Sequence, residues 1–281
     1  MNALVIGASG QVGGALFRKL EAMNHPVHGT YHSVKEGHLF PMDITKRKQI
    51  EEYVSDFTPP SHIFIPGAVT NVDFCETNPE ETYKTNVLGV KNVADLAHPD
   101  SRIIFFSTDF VFDGEQGLYS ELDLPNPISK YGQQKLAAEH YLATHAKKFT
   151  IIRTNVVFGP EAQGKNFVSR LILNLQLGKE VTIPKDEFGT PTYGPSLASA
   201  SIELSDNGIY HLSGSKLVSR YRFALEVAEV FGLRTDLIKP ILSADLKRPA
   251  KRPLSAGLVS KYTDLTIMDY RDGLIAMKQE V

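Results

Sequence analysis

Tyr131 and Lys135 are four residues apart, a spacing suited to acid–base chemistry. On a helix, residues four apart share one face, so the ammonium of Lys135 would lie near the phenol of Tyr131. A phenol has an ordinary pKa of about 10 and transfers protons poorly at neutral pH. A nearby ammonium favours the phenolate and would lower that pKa, by roughly three units in a partly desolvated cleft. The pair also arises by chance, so its meaning depends on the fold around it.

A hydroxyl suited to hold a carbonyl oxygen follows the apolar run at residues 102–107. Thr108 stands where that run ends, and open α/β sheets bind their ligands at the carboxyl ends of strands. There Thr108 would bind the carbonyl oxygen that Tyr131 protonates. Alternatively, its hydroxyl satisfies the turn that ends the strand. Thr108, Tyr131 and Lys135 form the catalytic set that the sequence predicts.

A glycine-rich turn follows the first apolar run, residues 3–6, with glycines at Gly7, Gly10 and Gly13. A phosphate needs close approach to backbone N–H groups, and glycine leaves those groups uncovered. The N-terminus of the helix that follows adds partial positive charge toward a pyrophosphate. Strand, turn and helix come in the required order, which predicts a dinucleotide site.

The end of the second predicted strand indicates which dinucleotide binds. An NAD site usually carries Asp or Glu there for the ribose hydroxyls, but residues 29–35 contain no acid. His32, Ser33 and Lys35 would instead hold a 2′-phosphate, so NADP(H) is the preferred cofactor and NAD(H) the alternative. Asp43 would reach the adenine, or else cap the next helix.

Alternating strands and helices in the first half of the chain would position these residues. Short β-branched runs between longer amphipathic segments predict βαβ units and a parallel sheet covered on both faces. We therefore expect an α/β fold of the Rossmann type, with a doubly wound parallel sheet. The NAD(P)-binding domain is predicted at residues 1–155, and a smaller, interleaved, mainly substrate-binding lobe at residues 156–281. The predicted strands are residues 3–6, 26–31, 62–66, 102–107, 150–157 and 208–212, and the predicted helices are residues 11–23, 46–57, 79–97, 129–144, 166–177, 197–204 and 220–231.

The composition argues against several classes of partner. The net charge is -2 and the pI about 6.5, so neither a nucleic acid nor a membrane surface is expected. Cys75 is the only cysteine, so we expect no disulfide and a cytoplasmic location. No apolar run approaches the roughly 18 to 20 residues of a membrane span. The histidines His25, His28, His32 and His38 follow no zinc spacing, so no metal is expected.

The sequence resembles the extended short-chain dehydrogenase/reductase family and, within it, the dTDP-4-dehydrorhamnose reductase branch. The resemblance covers nearly the whole chain. The Thr-Asp-aromatic-Val-Phe-Asp-Gly run at residues 108–114 and the Gly-x-Pro-Thr run at residues 189–192 point to this branch more than to epimerases or dehydratases. The matching runs are residues 7–13, 67–73, 86–89, 107–114, 131–135, 152–154, 186–192 and 252–255.

What the resemblance implies is hydride transfer from NADPH to the C4 ketone of a nucleotide-linked deoxysugar. Tyr131 would donate the proton, Lys135 would bind the nicotinamide ribose and Thr108 would hold the carbonyl oxygen. Asn86 looks like the family's helix asparagine, or else makes a structural hydrogen bond. The expected cofactor contacts are Gly7, Ser9, Gly10, Gln11, Val12, Gly13, His32, Asp43, Ile44, Gly67, Ala68, Tyr131 and Lys135. The expected substrate contacts are Thr70, Asn71, Val72, Thr108 and Asn155.

One departure from the family pattern concerns the sugar. The family commonly carries Ser-Trp after its Arg-Thr pair, and the indole packs against the sugar. Here Asn155 and Val156 occupy those places, and the chain has no tryptophan. The sugar bound by this chain therefore need not be the family's.

Other functions and contacts fit part of the pattern. A non-catalytic dinucleotide-binding regulator, resembling the β-subunit of methionine adenosyltransferase, would keep the catalytic set without using it. An epimerase or dehydratase is less favoured, because a dehydratase is expected to carry Glu after Asp109, where Phe110 stands. The basic residues Arg248, Lys251 and Arg252 would meet a substrate diphosphate or form a solvated surface. The expected partners are a nucleotide-sugar substrate and, in a homodimer, a second copy of the chain.

Overall fold

A parallel sheet of seven strands forms the centre of the computed structural model, which describes residues 1–280. The strands are β1 (Ala3–Val5), β2 (Val27–Tyr31), β3 (Phe40–Pro41), β4 (His62–Ile65), β5 (Arg102–Thr108), β6 (Phe149–Thr154), β7 (Val157–Phe158), β8 (Val181–Pro184), β9 (Phe188–Gly189), β10 (Thr192–Tyr193), β11 (Gly208–His211), β12 (Val218–Ser219) and β13 (Ile238–Ile241). The helices are α1 (Gln11–Ala22), α2 (Arg47–Asp56), α3 (Val72–Thr77), α4 (Pro79–Tyr83), α5 (Val90–Leu96), α6 (Lys130–His145), α7 (Phe167–Gln176), α8 (Gly194–Glu203), α9 (Arg220–Phe231) and α10 (Tyr270–Glu280).

The order of the strands in the main sheet is that of a doubly wound fold. Across the sheet it runs β11-β6-β5-β4-β1-β2-β3, which is the order of a dinucleotide-binding sheet with β11 added at one edge. The order reverses between β1 and β4, where the sheet leaves a crevice at the carboxyl ends of its strands. The predicted Rossmann-type α/β fold is confirmed.

Alternate residues of the central strands face two different layers of helices. On one face Phe64 and Ile104 pack with α1 and α8. On the other face Ile63 and Ile103 pack with α2, α5 and α6. Because both faces of the sheet are covered, the strands read as continuous apolar runs rather than as alternating ones.

The predicted helix at residues 79–97 has a change of winding in its middle. A π-helical turn, Lys84–Gly89, joins α4 to α5. Such turns are rare in proteins, and those that occur are often found at functional sites. The turn places Asn86 in the interior, where the residue is 1% exposed.

Residues beyond 155 contribute to both parts of the molecule. A third apolar cluster joins α7, α9 and α10 beside the parallel pair of β8 and β13. In contrast, β11 pairs with β6 in the main sheet, and α8 packs in the same cluster as α1. The chain thus returns to the first layer after leaving it, and a division of domains at residue 155 stays a prediction.

The predicted strand at residues 150–157 is wrong in its second part. β6 ends at Thr154, and β7 pairs with β10 in a separate two-stranded sheet. Between them Val156 has φ 40°, a left-handed conformation that a β-branched residue rarely adopts. This bend carries the chain out of the main sheet at the edge of the crevice. Among residues 1–280, no helix has the length and apolar character needed to cross a membrane.

Candidate active site

One large cleft opens at the carboxyl ends of β1, β4, β5 and β6, with a volume of about 1110 Å³. The glycine turn and the loops after these strands form one wall, and side chains from α7 and α9 form the other. The structure therefore brings together most of the residues that the sequence predicts for the site. Those that line the cleft are Gly7, Gly10, Gln11, Val12, Gly13, Gly67, Ala68, Thr70, Asn71, Val72, Thr108, Tyr131, Lys135 and Asn155.

The glycine turn has the shape that a pyrophosphate site requires. Gly7 has φ 78°, and a Cβ at Gly13 would lie 2.2 Å from the carbonyl oxygen of Gly7. Only glycine at position 13 allows α1 to start this close to the strand. Within residues 1–280, the buried amide nitrogen Nε2 of Gln11 has no hydrogen-bond partner. A buried donor of this kind at a helix N-terminus fits an anionic ligand.

The four other predicted cofactor contacts do not line the cleft. Nε2 of His32 lies 3.8 Å from Oδ2 of Asp43, beyond the ends of β2 and β3. The carbonyl oxygen of Ser9 accepts a hydrogen bond from Nε2 of Gln163 at 2.8 Å. Ile44 is buried, and its side chain fills the space beside Gly89, where a Cβ would lie 2.6 Å from Cγ1 of Ile44.

The interpretation of Asp43 as the cap of α2 is wrong. The residue that precedes α2 is Lys46. The Asp43 carboxylate instead accepts hydrogen bonds from the backbone nitrogen and hydroxyl of Thr45, at 2.9 and 2.7 Å. These contacts close a local turn, and they leave the side of Asp43 that faces His32 free of them.

The loop after β4 is held by the asparagine of the π-helical turn. Oδ1 of Asn86 accepts from the backbone nitrogen of Val69 at 2.8 Å, and its Nδ2 donates to the Val69 carbonyl at 3.1 Å. The same Nδ2 donates to Oε1 of Gln134 at 2.9 Å, one residue before Lys135. The hypothesis that Asn86 makes structural hydrogen bonds is confirmed, since these bonds join the loop after β4 to α6, and its role as the family's helix asparagine stays a prediction. In that loop Asn71 also caps α3, accepting from the nitrogen of Phe74 at 3.0 Å.

Tyr131 sits in the first turn of α6, beneath the ring of Phe110. The Ser129 hydroxyl caps the helix by accepting from the nitrogen of Gly132 at 3.2 Å, and the ring of Tyr131 meets that of Phe110 edge to face at 5.8 Å. Burial, followed by the charge of Asp109, raises the pKa of Tyr131 well above its ordinary value. The expectation that Lys135 lowers this pKa is wrong for the chain alone, because the ammonium is directed elsewhere.

Lys135 is directed at the sheet rather than at the phenol. Its Nζ donates to the carbonyl of Phe106 at 2.6 Å and lies 3.9 Å from the centre of the Phe105 ring. The side chain is 2% exposed. Burial lowers the pKa of Lys135 to about 7, against the opposing charge of Glu139. Lys135 therefore titrates in the physiological range, where a bound anion would favour its charged form.

Thr108, Asp109 and Asn155 form a buried polar group at the ends of β5 and β6. The Thr108 hydroxyl donates to Oδ1 of Asp109 at 3.0 Å and accepts from the nitrogen of Phe110 at 3.2 Å. Nδ2 of Asn155 donates to Oδ2 of Asp109 at 2.8 Å. Burial raises the pKa of Asp109 to about 7. Thr108 thus satisfies its turn and lines the cleft at once, so its two hypothetical roles do not exclude each other.

A buried ion pair beneath this group was not found from the sequence. Nη2 of Arg153 lies 2.7 Å from Oε2 of Glu139, with exposures of 2% and 1% for the two side chains. The other oxygen, Oε1 of Glu139, accepts from the hydroxyl of Ser107. Through these contacts the pair ties α6 to β5 and β6. The sequence shows that Glu139 lies four residues after Lys135. Nothing in the sequence indicates that its partner is Arg153, which lies on β6.

The cations of the opposite wall were only partly found from the sequence. Arg248 pairs with Glu187, and Nη2 of Arg252 lies 2.7 Å from Oδ2 of Asp73. Both line the cleft, whereas Lys251 is exposed and lies outside it.

Arg220 was missed altogether. Its guanidinium lies 3.9 Å from the centre of the Phe167 ring and has no hydrogen bond or ion pair to any residue from 1 to 280. Burial lowers its pKa to about 10, so it remains charged at neutral pH. No local pattern marks it, because only the packing of α9 against α7 directs it into the cleft.

Comparisons with known proteins identify related sequences and a related solved structure. A dTDP-4-dehydrorhamnose reductase of Aggregatibacter actinomycetemcomitans is 33% identical over 91% of this chain and 89% of its own length. The solved structure of dTDP-4-dehydrorhamnose reductase from Bacillus anthracis in complex with NADP superimposes with a TM-score of 0.90, at 26% identity over 100% of both chains. A methionine adenosyltransferase 2 subunit beta of Xenopus tropicalis is 27% identical over 85% of this chain and 75% of its own.

The family comparison covers the whole sequence. The model of the RmlD substrate binding domain matches residues 1–281. The resemblance that the motifs indicated is thereby confirmed, and the chain belongs to the RmlD substrate binding domain family.

Proposed function

We propose that this chain is an NADPH-dependent reductase that acts on the C4 ketone of a nucleotide-linked deoxysugar, with dTDP-4-dehydrorhamnose as the substrate. The observation that carries the proposal is the meeting of the glycine turn with Thr108, Tyr131 and Lys135 in one cleft. The reductase names of its relatives support the same reaction class.

The residues of the glycine turn fit a bound dinucleotide. The tight approach of Gly13 to Gly7 and the unpartnered amide of Gln11 are the features that a pyrophosphate would use. Gly10 and Val12 would complete its contacts, and His32 would meet the 2′-phosphate. When bound, NADPH supplies the hydride.

Tyr131 would give its proton to the ketone oxygen. The raised pKa of Tyr131 keeps the phenol protonated through the neutral range, which is the state that a proton donor needs at the start of turnover. Lys135 would hold the cofactor ribose. An anion placed near Lys135 would raise the fraction of it that is protonated.

Thr108 would donate a hydrogen bond to the same oxygen. In the structure its hydroxyl donates to Asp109, and that contact competes with a ligand. Because the pKa of Asp109 is about 7, its carboxyl carries a proton for much of the time near neutrality. A protonated Asp109 would donate to Thr108 Oγ1, which frees the Thr108 hydrogen for the ligand.

Arg220 would bind the diphosphate of the substrate. Among the guanidinium groups that line the cleft, those of Arg248 and Arg252 pair with carboxylates. Within residues 1–280, those of Arg220 and its neighbour Arg170 have no carboxylate partner. Guanidinium groups suit phosphate because their N–H donors match its oxygens.

The test is to follow NADPH consumption with dTDP-4-dehydrorhamnose. Tyr131→Phe should lower kcat by about 10² to 10⁴ and keep NADPH affinity, since it removes only the proton donor. Lys135→Ala should weaken both turnover and NADPH binding, and NADH should be the poorer cofactor. Tyr141→Phe, on the same helix and outside the cleft, is the matched control and should behave as wild type.

The regulator hypothesis makes a different prediction for the same assay. A regulator would bind NADPH but consume none of it, and Tyr131→Phe would then match wild type in every binding measurement. That outcome would exclude the reductase.

A further inference from the structure

One ion pair joins the loop after β4 to a segment near the end of the chain. Nη1 and Nη2 of Arg252 donate to Oδ1 and Oδ2 of Asp73, at 3.0 and 2.7 Å. The backbone nitrogen of Ala250 donates to the same Oδ1 at 3.1 Å. Both charged residues line the cleft. The carboxylate of Asp73 is thus held by two residues that lie far away in the sequence.

The contacts of Arg252 suit it to hold this carboxylate rather than a ligand. Its Nη1 also donates to the carbonyl of Ala250 at 3.2 Å, and its side chain is 17% exposed. The hydrogen bond from Arg252 holds the pKa of Asp73 below its ordinary value, so the pair stays charged at neutral pH. A substrate phosphate would have to displace a carboxylate that is bound at two points, whereas Arg220 has no such competitor. The pair therefore serves better as a connection between segments than as a phosphate site.

The loop after β4 has an anchor at each end. Its beginning is fixed by Asn86, which exchanges two hydrogen bonds with the backbone of Val69. Its end, where α3 begins, is fixed by Asp73. The expected substrate contacts at residues 70–72 lie between these anchors and line the cleft. The first two of them are exposed, so their position depends on the anchors more than on packing.

Residues 250–256 also hold the loop after β5. The backbone nitrogen of Ser255 donates to the carbonyl of Gly114 at 3.1 Å. A Cβ at position 114 would lie 2.5 Å from Cβ of Pro253, so glycine is required for the segment to pack this closely. The segment is fastened to one loop at Asp73 and to the other at Gly114. It therefore fixes the spacing between two loops of the cleft.

We propose that the Asp73–Arg252 pair is a latch that positions the loop at residues 70–72 for substrate binding, and that Asp73 and Arg252 are positioning residues of the reductase. The proposal rests on the proposed function. Because Asn86 holds the beginning of the loop by itself, breaking the latch should weaken substrate binding and leave the dinucleotide site unchanged. The side chains of the pair are 33% and 17% exposed, so we expect a moderate effect rather than a complete loss.

Calorimetry with dTDP-rhamnose, the expected product, and with NADPH tests the latch. Asp73→Asn and Arg252→Gln should each bind dTDP-rhamnose about 3- to 10-fold more weakly than wild type and NADPH equally well. The double variant should lose far less than the product of the two single losses, because both substitutions remove the same contact. Asp236→Asn breaks a pair of the same type, with Arg234, outside the cleft. It is the matched control and should bind both ligands as wild type does.

A milder variant covers the case in which these substitutions disturb folding. Arg252→Lys keeps the charge and loses the two-point geometry. It should remain folded and show a smaller loss of dTDP-rhamnose affinity, with NADPH affinity again unchanged.

Cys75 reports on the latch without any ligand. It is the only cysteine, it lies in α3 two residues after Asp73, and it is fully buried. Under native conditions a thiol reagent reaches it when α3 opens locally. Asp73→Asn and Arg252→Gln should therefore speed Cys75 labelling by about 3- to 10-fold, and Asp236→Asn should leave the rate unchanged.

Other results would overturn the latch. Tighter binding of dTDP-rhamnose by Asp73→Asn would show that the substitution frees Arg252 for the diphosphate, so that Arg252 is itself a substrate contact. Losses that multiply in the double variant would show that the two residues act separately. An equal loss of NADPH affinity, or an unchanged rate of Cys75 labelling, would show that the pair does not act on this loop.

The wild-type chain separates the two proposals. If it reduces dTDP-4-dehydrorhamnose and Asp73→Asn binds dTDP-rhamnose as wild type does, the latch is wrong and the reductase stands. If wild type neither binds dTDP-rhamnose nor reduces dTDP-4-dehydrorhamnose, the proposed function is wrong, and the role of the pair in substrate binding is wrong with it.

Discussion

At the scale of single residues, burial rather than charge pairing governs the ionisation of the site. The sequence predicts that the Lys135 ammonium lowers the pKa of Tyr131, but burial raises the pKa of Tyr131 and lowers that of Lys135 to about 7. In a dry cleft the charged form of each group is the costly one. The chain by itself therefore favours a neutral phenol.

The buried carboxyl of Asp109 should make stability depend on pH. The ordinary pKa of an aspartate side chain is 3.8 and that of Asp109 is about 7, so the folded chain holds this proton more tightly than the unfolded chain does. The contribution to stability is full below pH 3.8 and is lost as the pH rises through 7. Asp109→Asn does not titrate, so its free energy of unfolding relative to wild type should rise by about 2 kcal/mol between pH 5 and pH 8.

Denaturant unfolding of both proteins at the two pH values measures this difference. Asp264→Asn is the control, since Asp264 is exposed and its charge stays in water in both states. A relative stability of Asp109→Asn that is flat from pH 5 to pH 8 would show that Asp109 is ionised throughout, and the mechanism given for freeing the Thr108 hydrogen would fail.

At the scale of elements, the glycine turn has two separable requirements. The Cβ of Gly13→Ala would meet the backbone oxygen of Gly7 at 2.2 Å, so this variant should lose stability, by about 1–3 kcal/mol or more. At exposed Gly10 the nearest atom to a Cβ is 3.3 Å away, so Gly10→Val should stay folded. Its branched side chain would nevertheless cover the N–H groups that a pyrophosphate needs, and NADPH affinity should be lost.

Thermal midpoints and NADPH titrations distinguish the two variants, and each is the control for the other. A stable Gly13→Ala variant would mean that the turn relaxes freely. Unchanged NADPH affinity in a folded Gly10→Val variant would mean that the dinucleotide binds elsewhere.

The elements near the site were predictable because their signals are local. The apolar run at residues 103–106 and the glycine turn each indicate their local structure through their own residues. The helix α9 has the predicted bounds, Arg220–Phe231. Thr108 and Tyr131 fall in the cleft because strand ends and helix starts are set by the same local patterns. The resemblance added the loop at Thr70, which no periodicity marks.

What could not be predicted depends on contacts between distant segments. β3 has two residues, and it exists because it pairs with β2. The split of the strand at residues 150–157 follows from the pairing of β7 with β10. Likewise, Arg153 pairs with Glu139 and Arg220 contacts Phe167. These residues lie on different elements, and their spacing in the sequence does not indicate that they meet.

At the scale of the whole molecule, the two halves of the chain share their packing. β11 extends the main sheet at β6, and α8 packs in the cluster of α1. The cleft lies between the sheet and the elements that follow it. We therefore expect folding of the dinucleotide site to require residues from beyond 155, rather than to proceed as an independent unit.

This interleaving predicts one cooperative unfolding transition. Leu197 in α8 is fully buried in the cluster with α1, and Leu197→Ala should cost about 2–5 kcal/mol. Cys75, which is fully buried in α3, becomes open to a thiol reagent when the first half unfolds. In denaturant, the midpoint of Cys75 labelling should coincide with that of the far-ultraviolet circular dichroism, and Leu197→Ala should lower both equally. Leu173→Ala, at a side chain that is 57% exposed, should move neither. If Leu197→Ala lowered the dichroism midpoint and left Cys75 labelling unchanged, the halves would unfold separately, and the sheet would not depend on the later segments that complete it.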